Sequence, residues 1–115
     1  MASGSGAIIN IGGLAAHTGA SRRAHVIAAK AGLEGLTRAL AHDLAPHGIT
    51  VNTIAPGLVD TVRDKLPSHH AAHKPLVGRL GKPGEIAALV HFLCGPDARY
   101  ITGQTIHANG GVFMG

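Results

Sequence analysis

From Ala7 to Ile11 the chain reads Ala-Ile-Ile-Asn-Ile, an apolar, β-rich run closed by Gly6 on one side and by Gly12 and Gly13 on the other. A short apolar run between such breakers predicts a buried strand. After a turn-rich stretch from His17 to Arg23, a helical period sets in near Ala24, with Ile27, Ala31, Leu33, Leu36, Leu40 and Leu44 on the expected inner stripe. Ser21 is its expected N-cap, or Thr18 for a longer helix, and Pro46 with Gly48 stops it. Ile49 to Ile54 alternates branched apolar and polar residues, which predicts a second strand ending at Ala55-Pro56-Gly57. Leu58 to Leu80 has no firm period and reads as an irregular or short-helical lid. A second helix starts at Pro83 and carries Ile86, Leu89, Val90 and Leu93 inward until Gly95-Pro96. Gln104 to Ala108 is the last expected strand, before the turn Asn109-Gly110-Gly111.

Strand, helix, strand, helix, strand predicts an α/β fold with two right-handed crossovers and a parallel sheet of about three strands flanked by helices. So narrow a sheet leaves edges open, and the first strand lacks the charges and prolines that protect natural edges. Another surface is expected to cover it.

Composition narrows the class. The 115 residues are 45% hydrophobic and 14% charged, which suits one globular domain, residues 1–115, and excludes a disordered chain. The lone cysteine, Cys94, excludes an intrachain disulfide framework and is expected to be a small buried apolar residue. Apolar runs of only a few residues exclude a membrane span, and Met1 to Gly6 lacks the features of a secretory signal, so a cytoplasmic setting is expected. The net charge of +4 favours anionic partners, such as a phosphate-bearing cofactor or an acidic carrier. Nucleic acid is not expected, because the basic residues are scattered and only Tyr100, Phe92 and Phe113 could stack on bases.

The motifs then come in a telling order: Gly6-Ala7-Ile8-Ile9-Asn10-Ile11, Ala28-Ala29-Lys30-Ala31-Gly32-Leu33-Glu34-Gly35-Leu36-Thr37, Ile49-Thr50-Val51-Asn52, Pro56-Gly57-Leu58-Val59-Asp60-Thr61 and Tyr100-Ile101-Thr102-Gly103-Gln104-Thr105. Together they resemble the C-terminal half of a short-chain dehydrogenase/reductase, over nearly the whole chain. The ending Ile106-His107-Ala108-Asn109-Gly110-Gly111 looks most like the β-ketoacyl-acyl-carrier-protein reductase branch. The resemblance implies a partial Rossmann-like sheet and reduction of a carbonyl or 3-oxoacyl-carrier substrate with NADPH or NADH. It further implies a homo-oligomer or a complementing N-terminal half as partner. The family's Gly-rich turn, which seats the cofactor pyrophosphate on a helix N-terminus, is not in this sequence.

In the family a Tyr delivers a proton to the substrate oxygen, a Lys four residues later lowers the Tyr pKa and holds the nicotinamide ribose, and an upstream Ser hydrogen-bonds the carbonyl. Lys30 matches the Lys, but Val26 stands at the Tyr position and Gly13 at the Ser position. Neither can move a proton. The resemblance therefore implies little or no catalysis by this chain alone, or a non-catalytic oligomerisation remnant of the fold. His25 and His17 have a suitable pKa for a substitute acid, yet His25 is turned about 100° from the Lys30 face. By the same resemblance Lys30, Pro56, Gly57, Val59 and Thr61 would meet the nicotinamide end of the cofactor. Asn52 is expected to satisfy backbone groups. His69, His70 and His73 have zinc-like spacing but no cysteine or carboxylate to complete a ligand set, so no metal site is expected.

Overall fold

The computed structural model describes residues 5–19, 21–60 and 75–115. Three strands, β1 (Gly6–Ile11), β2 (Ile49–Pro56) and β3 (Thr105–Ala108), form one sheet in the order β1-β2-β3. Both pairings are parallel, with Ile8 opposite Val51 and Ile54 opposite Ile106. Between them lie the four-residue α1 (Ala15–Thr18), the long α2 (Ala24–Leu44) and α3 (Pro83–Cys94). Among the described residues no helix is long and apolar enough to cross a membrane.

The strands alternate as a sheet in contact with helices on both faces must. Ile49 and Val51 pack with Ala41, Leu40 and Leu44 of α2, and Thr53 shares a 2.6 Å hydrogen bond with Thr37 of the same helix. Ile54, of opposite parity, packs with Leu93, Ile86, Leu89 and Val90 of α3. The two helices therefore cover opposite faces. Because β1, β2 and β3 step in one direction across the sheet, crossovers on opposite faces have opposite hands, so the expectation of two right-handed crossovers is corrected. The hand rule reflects a short helical connection folding straight back onto a twisted sheet. The segment from Gly57 to Gln104 is far longer than such a connection.

The expected stripe of α3 is the one that packs. That of α2 is shifted: Glu34, Thr37 and Ala41 are buried, while Leu36 is 51% exposed. Small and apolar residues surround this helix on every side, so periodicity could not select the inner face. Its start is also corrected. Arg23 precedes the first turn with no side-chain cap, and the hydroxyl of Thr18 instead donates to Leu14 and Gly19 carbonyls at the end of α1. At the other end a 3-10 turn, Ala45–His47, leads to Gly48 at φ 70°, where a left-handed residue closes the helix as expected.

Cys94 is exposed, against expectation, since Leu93 holds the centre of the α3 stripe and the next residue turns about 100° away. Asn52 does serve the backbone: its Nδ2 donates to the Ile101 carbonyl at 3.0 Å and its Oδ1 accepts from the Gln104 N–H at 3.1 Å. Arg99 reaches the N-terminal end of the sheet, donating to the carbonyls of Gly6 and Gly48. The outer edge of β1 is unpaired among the described residues, with Ile8 37% and Ile11 51% exposed.

Candidate functional site

The C-terminal ends of the strands are knitted together by backbone hydrogen bonds. Gly12 N–H donates to Ile54, Leu14 N–H to Pro56 and Gly57 N–H to Ala108. Val59 bridges Gly81, with the Asp60 N–H donating to the Gly81 carbonyl at 2.7 Å. Pro56, Gly57 and Val59 thus lie on a turn anchored both to β3 and to the segment before α3. Thr61, like His69, His70 and His73, lies outside the described residues.

Lys30 reaches this end of the sheet from α2. A Cβ built on Gly13 would stand 2.5 Å from Lys30 Nζ and 2.9 Å from its Cδ. The lysine side chain therefore occupies the space that a side chain at residue 13 would need. Gly13 is buried between two residues bonded to the Ile54 and Pro56 carbonyls, so the ammonium sits beside the Pro56 turn. Val26 is half-buried one helical turn before Lys30, on the same face, and His25 is exposed. Of the side chains at positions 13, 26 and 30, only that of Lys30 can donate to an oxygen.

One turn further along, a second contact parallels the first. His17 lies four residues after Gly13 and Glu34 four after Lys30, and His17 Nε2 donates to Glu34 Oε2 at 2.7 Å. Glu34 Oε1 accepts from the Thr105 hydroxyl at 3.2 Å. The pair lies on the far side of Lys30 from Val26, which rules His17 out as a stand-in for a proton donor at position 26. Sequence reasoning missed Glu34. The available signal was a lone carboxylate inside an apolar helical segment, where an ionised group needs a partner.

His17 also meets β3 and the residues after it. Its ring is 4.5 Å from that of His107, edge on, and 5.0 Å from Phe113, which is itself 5.0 Å from His107. Burial foremost, and then the neighbouring His17, hold the His107 imidazole below its ordinary 6.5, with Glu34 pulling the other way. A depressed folded-state value means that the unfolded chain takes up the proton first as pH falls. Stability from this group is whole above about 6.5 and drains away as pH drops through the lower folded-state midpoint. Urea unfolding between pH 8 and 5 should show this loss, and His107→Phe should flatten it. A slope unchanged by that substitution would assign the effect elsewhere.

A cavity of about 410 Å³ opens beyond the end of β3, walled by Leu58, Val77, Ile86, His107, Asn109 and Phe113 among others. Lys30 is not in its wall. The cavity and the Lys30 cluster are separate features that share the Pro56-Leu58 turn as a boundary.

A family model described as enoyl-(acyl carrier protein) reductase matches residues 1–113. The chain is 45% identical over 114 residues to the 3-oxoacyl-(acyl-carrier-protein) reductase FabG of Vibrio cholerae, covering 95% of this chain and 46% of that protein. It is 44% identical over 115 residues to the enzyme of the same name from Staphylococcus aureus, with 96% and 46% covered. Among solved structures, a short-chain dehydrogenase/reductase from Brucella melitensis, described as glucose/ribitol dehydrogenase, superposes with a TM-score of 0.80 at 36% identity, over 95% of this chain and 46% of that one. A double mutant of a Serratia marcescens short-chain dehydrogenase/reductase gives 0.82 at 39% identity, over 92% and 45%. The chain spans about half the length of the curated relatives it matches.

Proposed function

This chain belongs to the short-chain dehydrogenase/reductase family, most like the 3-oxoacyl-carrier-protein reductases, and from that premise we propose that it supplies the nicotinamide end of an NADPH or NADH site. The reduction served is that of a 3-oxoacyl-carrier substrate or a related carbonyl in cytoplasmic fatty acid synthesis. The observation that carries the reading is the Lys30 side chain laid across Gly13 beside the Pro56 turn. Among the described residues no carboxylate forms an ion pair with Lys30, so its ammonium has donors free for the hydroxyls of a ribose. Pro56, Gly57, Val59 and Thr61 would line the carboxamide side of that site.

The cofactor, when bound, supplies a hydride. Lys30 would orient it through hydrogen bonds, and the Pro56-Gly57 turn would present backbone groups. Val26 holds no proton to give, and Gly13 has no hydroxyl to polarise a carbonyl. The chain on its own therefore binds cofactor weakly and reduces carbonyls slowly or not at all. Completion comes from a chain or segment carrying the N-terminal half of the fold, whose strand would pair with the open edge of β1. The exposed Leu36 face of α2 supports a second reading, a non-catalytic module that joins copies of the fold into an oligomer.

Titration with NADPH, followed by nucleotide fluorescence, separates these readings. The isolated chain should show no saturation below about 1 mM, a binding free energy weaker than about 4 kcal/mol. Adding the N-terminal half of a relative should bring saturable binding that Lys30→Ala weakens. Absence of binding in the completed protein would discard the cofactor reading and leave the oligomerisation module. Tight binding by the isolated chain would overturn the need for completion.

A further inference from the structure

Four side chains from four parts of the chain converge at the cavity wall, which His107 and Phe113 help to form: His17 of α1, Glu34 of α2, His107 of β3 and Phe113 beyond it. Nothing in the proposed reductase chemistry uses them. Both carboxylate oxygens of Glu34 are already engaged, one by His17 and one by Thr105. The Nδ1 atom of His107 is buried with no hydrogen-bond partner among the described residues. As an acceptor in a neutral ring that atom is tolerable, but a proton there creates a buried donor with nothing to receive it. It also places a positive charge 4.5 Å, ring to ring, from the imidazole of His17, which opposes it, while Glu34 offsets it only in part.

We propose that His17, Glu34 and His107 form a proton-operated latch that seats the Phe113 ring against α1 at neutral pH and releases it in mild acid, opening one wall of the cavity. Other charges facing His107 do not cancel the effect. On α2, Lys30 lies one turn from Glu34 and adds to the positive side. Across the cavity, Arg79 and Glu85 are hydrogen-bonded to each other at 2.6 and 2.9 Å and largely neutralise one another. From Asn109 to Gly115 the chain has no charged side chain. The turn itself stays tied, since Asn109 Nδ2 donates to the Phe113 carbonyl and its Oδ1 accepts from the Gly111 N–H. Movement is therefore confined to the Phe113 side chain and the residues after it.

Proton and carbon NMR of the full chain, from pH 8 to 5, tests the latch without any cofactor. The Phe113 ring signals and the Phe113 and Met114 amides should shift with the same midpoint as the His107 ring, below about 6.5. His17→Gln keeps a donor for Glu34 but removes the neighbouring imidazole that opposes protonation of His107, so the His107 midpoint should rise and the Phe113 response should follow it. His107→Phe should abolish the response. Titration of His107 with Phe113 motionless, or a Phe113 response that survives His107→Phe, would overturn the proposal. If His107→Phe fails to fold, the paired movement of both midpoints in His17→Gln decides alone.

Discussion

Completed by the N-terminal half of the fold, a chain carrying Val26→Tyr should reduce a 3-oxoacyl substrate with NADPH about 10²–10⁴-fold faster than the same complex with valine. Val26 and Lys30 stand one turn apart on one face of α2, so a phenol at position 26 would share the lysine's side of the helix. The ammonium nearby favours the ionised phenol, which makes it a better proton relay at neutral pH. Gly13→Ser behaves differently, because the new Cβ would fall 2.5 Å from Lys30 Nζ. The serine can be accommodated only if the flexible end of Lys30 swings away. Alone it should give little; together with Val26→Tyr it should add up to about 10²–10³-fold, the usual worth of a donor on a developing oxyanion. NADPH oxidation rates of the two single variants and the double variant are the measurement. No gain in the double variant, with cofactor binding intact, would mean that reductase ancestry describes the fold and not the present function.

Gly57→Ala should destabilise the chain by about 1–3 kcal/mol, read as a lower urea midpoint. An added Cβ would lie 2.6 Å from the Cβ and 2.9 Å from the Cα of Asn109. The obstacle is backbone, so no rotamer change relieves it. Asn109 is also the buried hub of the last turn, bonded to Gly111 and to both backbone groups of Phe113. Pushing it disturbs the Gly57 N–H bond to Ala108 and the cavity wall together. Gly32→Ala is the control with the opposite sign. That glycine is an exposed residue of α2 with nothing within 4 Å of the new Cβ, so alanine should stabilise by about 0.5–1 kcal/mol through helix propensity. Equal effects at the two positions would refute the packing argument.

The elements themselves were legible, because each is written in a local period. β1 and β2 come within one or two residues of the runs that predict them, and α3 buries the stripe that its apolar spacing marks. The short α1 was not legible, since four residues are too few for a period to show. The inner face of α2 was misread for the opposite reason. Leucine and alanine recur on every side of it, and only contact with β2 selects Thr37 and Ala41. Cys94 shows a smaller version of the same limit, where one residue past the centre of a stripe is enough to face outward.

The order of motifs along the chain, and the valine at position 26 and glycine at position 13 that we propose stand where the family carries its donors, were read from residue identity. No contact between distant segments was needed to read them. Tertiary structure alone decided that Lys30 fills the space beside Gly13, that Glu34 is buried against His17 and Thr105, and that α2 and α3 cover opposite faces of the sheet. Each of these joins residues from different segments, and local periodicity is blind to whatever arrives from elsewhere in the chain.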